Sequence, residues 1–291
     1  MSMSSFEYFA PTSLDEAVAL LSEKGRDARL MAGGTDLLVK IQHRVLQPKA
    51  VVGLKKIKGL DRIAFDPKKG LTIGATALLA DVAAHRDVLR HYPAVAAAAA
   101  GTANVQVRNM GTVIGNLCNA SPSADNAPTL LVMDAKVDIV GPQGPRQLPL
   151  GDFFQGPGLT ALEPGEIVTA VYVPLPPAHS ATFYQSLSAR GKLDCSAVGV
   201  AGLLAVEGSV CRMARVAVGA CAPIPMRAKK AEKILTGKAL ESDLIQKAAL
   251  SASKETRPIT DLRASADYRW KMVAVLTMRV LHEAHKAARS K

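Results

Sequence analysis

Met31-Ala32-Gly33-Gly34-Thr35-Asp36 is the stretch on which the reading of this chain turns. It closes a short apolar run, residues 28–32, that reads as a strand. It opens a predicted helix with Thr35 or Asp36 as N-cap and Leu37, Leu38 and Ile41 as the buried face. Two glycines at a strand-to-helix turn let the backbone approach a ligand closely and adopt positive φ. The free N–H groups at the helix start favour an anion, and a pyrophosphate fits. The competing reading is an ordinary tight turn with a capping Thr or Asp. Neither GxGxxG nor GxxxxGK[ST] occurs, so the dinucleotide and P-loop signatures are absent.

Upstream, Ser13 and Glu16 form a capping-box pattern, Leu14, Ala17, Val18 and Leu21 fall on one helical face, and Gly25 supplies the stop. Downstream, Val51-Val52 reads as a strand. Residues 60–65 and 71–74 flank Asp66-Pro67-Lys68-Lys69-Gly70 and predict a hairpin. Residues 78–89 and 94–100 read as helices, 126–133 as a short helix, and 135–140 with 146–150 as a second hairpin. A strand over 166–173 ends at Pro174-Leu175-Pro176-Pro177, the best linker candidate. Beyond it come strands over 181–188, 197–206 and 210–219, then helices over 227–235, 241–253 and 265–288. Strands followed by helices make an α+β unit.

Between these elements, residues 105–125 are polar and show little periodicity. A loop of about twenty residues inside a compact domain is unusual, and such loops are often functional. It contains Gly111-Thr112-Val113-Ile114-Gly115-Asn116 and continues through Asn119 to Asp125. Glycines, hydroxyls, amides and one carboxylate are groups that hold phosphates, a ribityl chain or a ribose. A hydrogen-bonded surface loop is the alternative.

The chain has 291 residues and a net charge of +11, unevenly spread. Residues 179–291 carry 19 Lys and Arg against 9 Asp and Glu, whereas residues 1–178 are nearly neutral. This asymmetry is the first sign of a domain boundary. The basic residues are interspersed with Ala and Leu, which favours a solvated helical face or a partner-facing surface over a nucleic-acid site. Cys118, Cys195, Cys211 and Cys221 follow no metal-ligand spacing, so a protein-ligated zinc or iron–sulfur centre is not expected. His282-Glu283-Ala284-His285 is not HExxH and reads as a solvated helix face. The longest apolar run, residues 94–100, is too short to span a bilayer, and residues 1–9 show no secretory leader, so a cytoplasmic chain is expected. No general acid–base pair or Ser/His/Asp set can be assembled, which points to chemistry supplied by a bound cofactor.

The two loops, in this order and at this spacing, resemble the FAD-binding medium subunit of the molybdenum hydroxylases, the xanthine dehydrogenase and carbon monoxide dehydrogenase family. The resemblance runs over essentially the whole chain. Residues 31–36 match the family's first FAD motif and 108–125 its second. It implies a two-subdomain FAD-binding fold of the vanillyl-alcohol-oxidase/PCMH type over 1–177, with subdomains of about 1–55 and 56–177. A C-terminal domain, 178–291, would hold a three-stranded antiparallel sheet and a three-helix bundle. Backbone N–H groups around Met31, Ala32, Gly33, Gly34, Thr35 and Asp36 would bind the pyrophosphate, with Thr112, Gly115 and Asn116 holding it from the other side. Asn119 and Asp125 would take the polar chain or a ribose, and Ile167 and Val168 would pack near the rings. A side chain at Gly34, as in Gly34→Val, would occupy the space of the pyrophosphate.

By the same resemblance the chain is an electron-transferring subunit with no catalytic side chain of its own. Molybdopterin is expected on a large subunit and [2Fe-2S] clusters on a small one, in a heterotrimer or its dimer, with NAD or a quinone as acceptor. The rival readings are a stand-alone FAD-dependent oxidoreductase of the same fold and a basic nucleic-acid-binding protein. The family pattern has two glycines before its Asn; here Ile114 replaces the first. A β-branched residue does not adopt positive φ cheaply, so either Ile114 has negative φ or the loop is shifted.

Overall fold

The computed structural model describes residues 4–190 and 195–290. Met1 to Met3, the start of the stretch read for a leader, lie outside the described residues. The chain begins β1 (Glu7–Phe9), α1 (Leu14–Lys24), β2 (Ala28–Met31), α2 (Leu37–Gln42) and β3 (Ala50–Gly53). The strands form a parallel sheet in the order β1-β3-β2. Ser13 caps α1, its Oγ accepting from Glu16 N at 3.2 Å, while Glu16 Oε2 reaches past the expected Ser13 N–H and accepts from Thr12 N at 2.8 Å. Val51 and Val52 of β3 are fully buried, as a central parallel strand requires.

A second sheet has the order β4-β5-β10-β6-β7. Its strands are β4 (Ile63–Asp66), β5 (Gly70–Gly74), β6 (Lys136–Gly141), β7 (Gly144–Pro149) and β10 (Ile167–Pro174), all antiparallel; β8 (Phe154–Gly156) and β9 (Leu159–Thr160) pair separately. Both expected hairpins are present. Between β5 and β6 run α3 (Leu79–Ala84), α4 (Arg86–His91), α5 (Pro93–Gly101), α6 (Val105–Arg108), α7 (Val113–Cys118) and α8 (Asn126–Val132); α9 (Leu150–Phe153) follows β7. The helix expected over 78–89 is two, because His85 is extended at φ −66°, ψ 126°.

The expected polar loop over 105–125 is a correction, since it contains two helices. Asn104 caps α6 through Val107 N at 2.8 Å, and Thr112 Oγ1 caps α7 through Gly115 N at 2.9 Å. Helices this short complete too few turns to show a period. Ile114 sits inside α7 with negative φ and is buried, so the loop accommodates it as a core residue.

The last region comprises β11 (Ser180–Leu187), β12 (Val198–Glu207), β13 (Val210–Gly219), β14 (Met226–Arg227), α10 (Lys229–Leu235), α11 (Ser242–Glu255) and α12 (Ala266–Arg289). Among the described residues its antiparallel sheet has four strands rather than three, because the two-residue β14 pairs with β13. Strand β12 is buried on both faces. Val198, Val200, Leu204 and Val206 join the core beneath the helices, whereas Ala201 and Leu203 join the core of the N-terminal region. Strand alternation thus binds one strand to two cores. A Cβ on Gly202 would come within 2.8 Å of Val280, so this glycine admits α12 to the sheet. Asp134, after α8, pairs with Arg215 and Arg227, and Arg227 also pairs with Glu232.

Candidate functional site

Both glycine-bearing turns open onto one cavity of about 490 Å³, within the usual range for small-molecule sites. They touch directly. A Cβ on Gly33 would overlap the Met110 carbonyl oxygen and lie 2.8 Å from Gly111 Cα. Leu79 N donates to Gly111 O at 2.9 Å, and Leu78 bridges to Thr112.

Gly34 has φ +75° and supplies the left-handed residue of the first turn. Its Cβ would face Met31 Sδ and Leu38, at 3.1 and 3.2 Å. A side chain at Gly34, as in Gly34→Val, would therefore press on its own turn and helix. Among the described residues the N–H groups of Gly33, Gly34, Thr35 and Asp36 meet no protein acceptor, nor does that of Ile114. Asp36 is the N-cap of α2 but makes no side-chain cap bond. Unsatisfied donors at two adjoining turns are a donor set for an anion.

All of residues 31–36 line the cavity, as do Thr112, Gly115, Asn116, Asn119 and Asp125. Ile167 and Val168 lie outside that lining; they pair with Val140 and Ile139 at the start of β10 and are buried. Asn116 Oδ1 accepts from Asn126 Nδ2 at 3.1 Å, which leaves the Asn116 amide nitrogen as a donor.

Lys40, which the sequence reading missed, lines the cavity and donates from Nζ to Asn119 Oδ1 at 2.6 Å. Its position one helical turn beyond Asp36 was the available signal. Cys118 also lines the wall, and burial pushes its thiol up to about 12, so it stays protonated at neutral pH. Among the described residues no three metal-ligating side chains come together, Cys118, Cys211 and Cys221 are free thiols, and no helix is long and apolar enough to cross a membrane.

Asp125 is the most constrained wall residue. Its Oδ1 accepts from Tyr184 Oη at 2.8 Å and from Ser196 Oγ at 2.6 Å, both contributed by the C-terminal region. Burial holds its carboxyl above the usual range, and the two hydroxyls offset part of that rise. A carboxyl with a raised folded-state value contributes stability at acid pH that is lost as pH rises through that value. Asp125→Asn keeps an oxygen acceptor and removes the titration. In thermal melts of the cofactor-free chain between about pH 4 and pH 8, the variant should gain stability relative to wild type as pH rises. A gap that narrows with pH would mean that the carboxylate form is favoured by its site.

Two family models match the chain: the FAD binding domain in molybdopterin dehydrogenase, over residues 4–176, and the CO dehydrogenase flavoprotein C-terminal domain, over 183–284. The putative xanthine dehydrogenase FAD-binding subunit of Escherichia coli strain K12 is 31% identical over 98% of this chain and 97% of its own length. The nicotinate dehydrogenase FAD-subunit of Eubacterium barkeri is 35% identical over 84% of each chain. A carbon monoxide dehydrogenase structure from Hydrogenophaga pseudoflava superposes with a TM-score of 0.95 at 34% identity, covering 99% of both chains.

Proposed function

Because this chain belongs to the FAD-binding subunits of the molybdenum hydroxylases, oxidoreductase complexes of the xanthine and carbon monoxide dehydrogenase type, we propose that its cavity between the two glycine turns holds the FAD and places it in an electron path to an external acceptor. The observation that carries this reading is the set of unpaired N–H donors on two touching turns, with Lys40 on the same wall. The donors suit a pyrophosphate, since each finds no acceptor in the protein and a cation stands beside them.

In this reading, residues 31–36 and the residues Thr112, Gly115 and Asn116 grip the pyrophosphate from opposite sides. Asn119 and Asp125 take hydroxyls of the ribityl chain or ribose. FAD held here would supply the redox chemistry of an electron path between [2Fe-2S] clusters on a small partner subunit and an acceptor such as NAD or a quinone. Molybdopterin resides on a large partner subunit, which selects the substrate. The chain's own work is to bind, orient and partly enclose the cofactor. The FAD-binding unit comprises 1–177, divided near residue 55, with 178–291 as the second domain. The basic surface of 179–291 faces a partner subunit, and the assembly, a heterotrimer or its dimer, works in the cytoplasm.

Purification of the chain with its natural partners tests this. The expected result is a flavin absorption band, with iron and molybdenum in co-purifying subunits. A lone, yellow, substrate-active protein would transfer the assignment to a stand-alone flavin oxidoreductase. A colourless chain with steeply salt-dependent DNA affinity would overturn it altogether.

A further inference from the structure

Loop 121–125 forms part of the cavity wall, yet much of what fixes it comes from the other end of the chain. Ser196 Oγ binds Asp125, and Ala220 N donates to Pro122 O at 2.6 Å. Behind these two contacts lies Arg269 of α12, only 1% exposed. Its Nη1 donates to Ala197 O at 3.0 Å and to Ala220 O at 2.9 Å, and its Nη2 donates to Asp261 Oδ1 at 2.6 Å.

One guanidinium nitrogen therefore ties together the residue next to Ser196 and the residue whose N–H holds Pro122. Ala220 has φ +63°, a costly conformation for a residue with a Cβ, and its carbonyl and amide are both engaged. A buried Arg needs its charge matched, and here Asp261 and two backbone carbonyls take its Nη1 and Nη2 donors, while Nε meets no acceptor among the described residues.

We infer that Arg269 is a positioning residue for the cofactor site, holding loop 121–125 through the carbonyls of Ala197 and Ala220 without touching the cavity. The inference rests on the FAD reading above and adds a residue outside both glycine motifs. It makes the C-terminal region a structural part of the binding site.

The test is FAD titration of the full-length, cofactor-stripped chain, with visible circular dichroism of the bound flavin. Arg269→Met should weaken FAD binding by about tenfold or more and change the dichroism. Arg269→Lys, which can still reach one carbonyl or Asp261, should recover part of the loss. Leu276→Ala, a core deletion on the same helix, should lower Tm while leaving FAD affinity within about twofold of wild type. Combined with Ser196→Ala, Arg269→Lys should cost less than the product of the two single losses, because both act on one loop.

Affinities of both Arg269 variants within twofold of wild type would overturn the inference, as would losses that multiply fully with Ser196→Ala. If Arg269→Met fails to fold, Arg269→Lys and its cycle with Ser196→Ala decide the matter. A wild-type chain that takes up no FAD overturns the cofactor reading itself and this inference with it. A wild type that binds while the variants bind equally well overturns this inference alone.

Discussion

Gly33→Ala is expected to lower FAD affinity by on the order of a hundredfold while the chain remains folded. Gly33 is not in the left-handed region, so backbone conformation is not the obstacle. The obstacle is the Met110 carbonyl oxygen, which the new methyl would overlap, with Gly111 Cα 2.8 Å away. Both are backbone atoms of the facing turn, so no side-chain rotation relieves the clash. The turns must part by roughly 1 Å to restore ordinary contact. Their N–H donors then no longer converge on one anion.

Overpacking of this kind costs about 1–3 kcal/mol of stability, which a domain of this size tolerates. Gly34→Ala is the informative comparison. Its left-handed φ costs about 1–2 kcal/mol with any Cβ, but the atoms it meets belong to the flexible side chains of Met31 and Leu38. Gly34→Ala should therefore lose stability and retain more FAD affinity than Gly33→Ala. Isothermal titration with both variants checks the order, and equal affinities would remove the case for turn-to-turn contact as the organising feature.

Ile114→Gly is expected to destabilise the chain by about 4 kcal/mol, combining the loss of a buried Ile side chain with a glycine inside a helix. Restoring the glycine of the family pattern looks conservative from the sequence. In the structure Ile114 is 4% exposed, packs in the N-terminal core and does not line the cavity. At this chain length the loss corresponds to a Tm lower by roughly 10 °C. Calorimetry measures the stability term, and FAD titration at low temperature should find affinity within about threefold of wild type. Tighter FAD binding with no loss of Tm would show that this position governs loop conformation instead of core packing.

Local chemistry made much of the fold legible. Turn residues marked both hairpins, and the Ser13–Glu16 pair marked the first helix. Short elements were lost: β1, β14, α6 and α7 complete too little of a period to stand out. The break at His85 left no propensity signal. At the site, the two glycine turns were readable because glycine is required where backbones approach. For Ile167 and Val168 the sequence carries less, because a buried apolar strand residue looks the same whether it faces a ring or a core.

The sequence alone determined the local strand–turn–helix units, the two donor-rich turns and the family to which the chain belongs. These depend on residues a few positions apart, where backbone geometry, capping and periodicity act. The tertiary structure decided that the two turns meet at Gly33 and Met110, and that Asp125 is bound by Tyr184 and Ser196, 59 and 71 residues further along. It also decided that β12 is shared between two cores and that Arg269 closes the link behind the cavity. Contacts of this kind follow from how sheets and helices pack across long separations, and no local spacing encodes them.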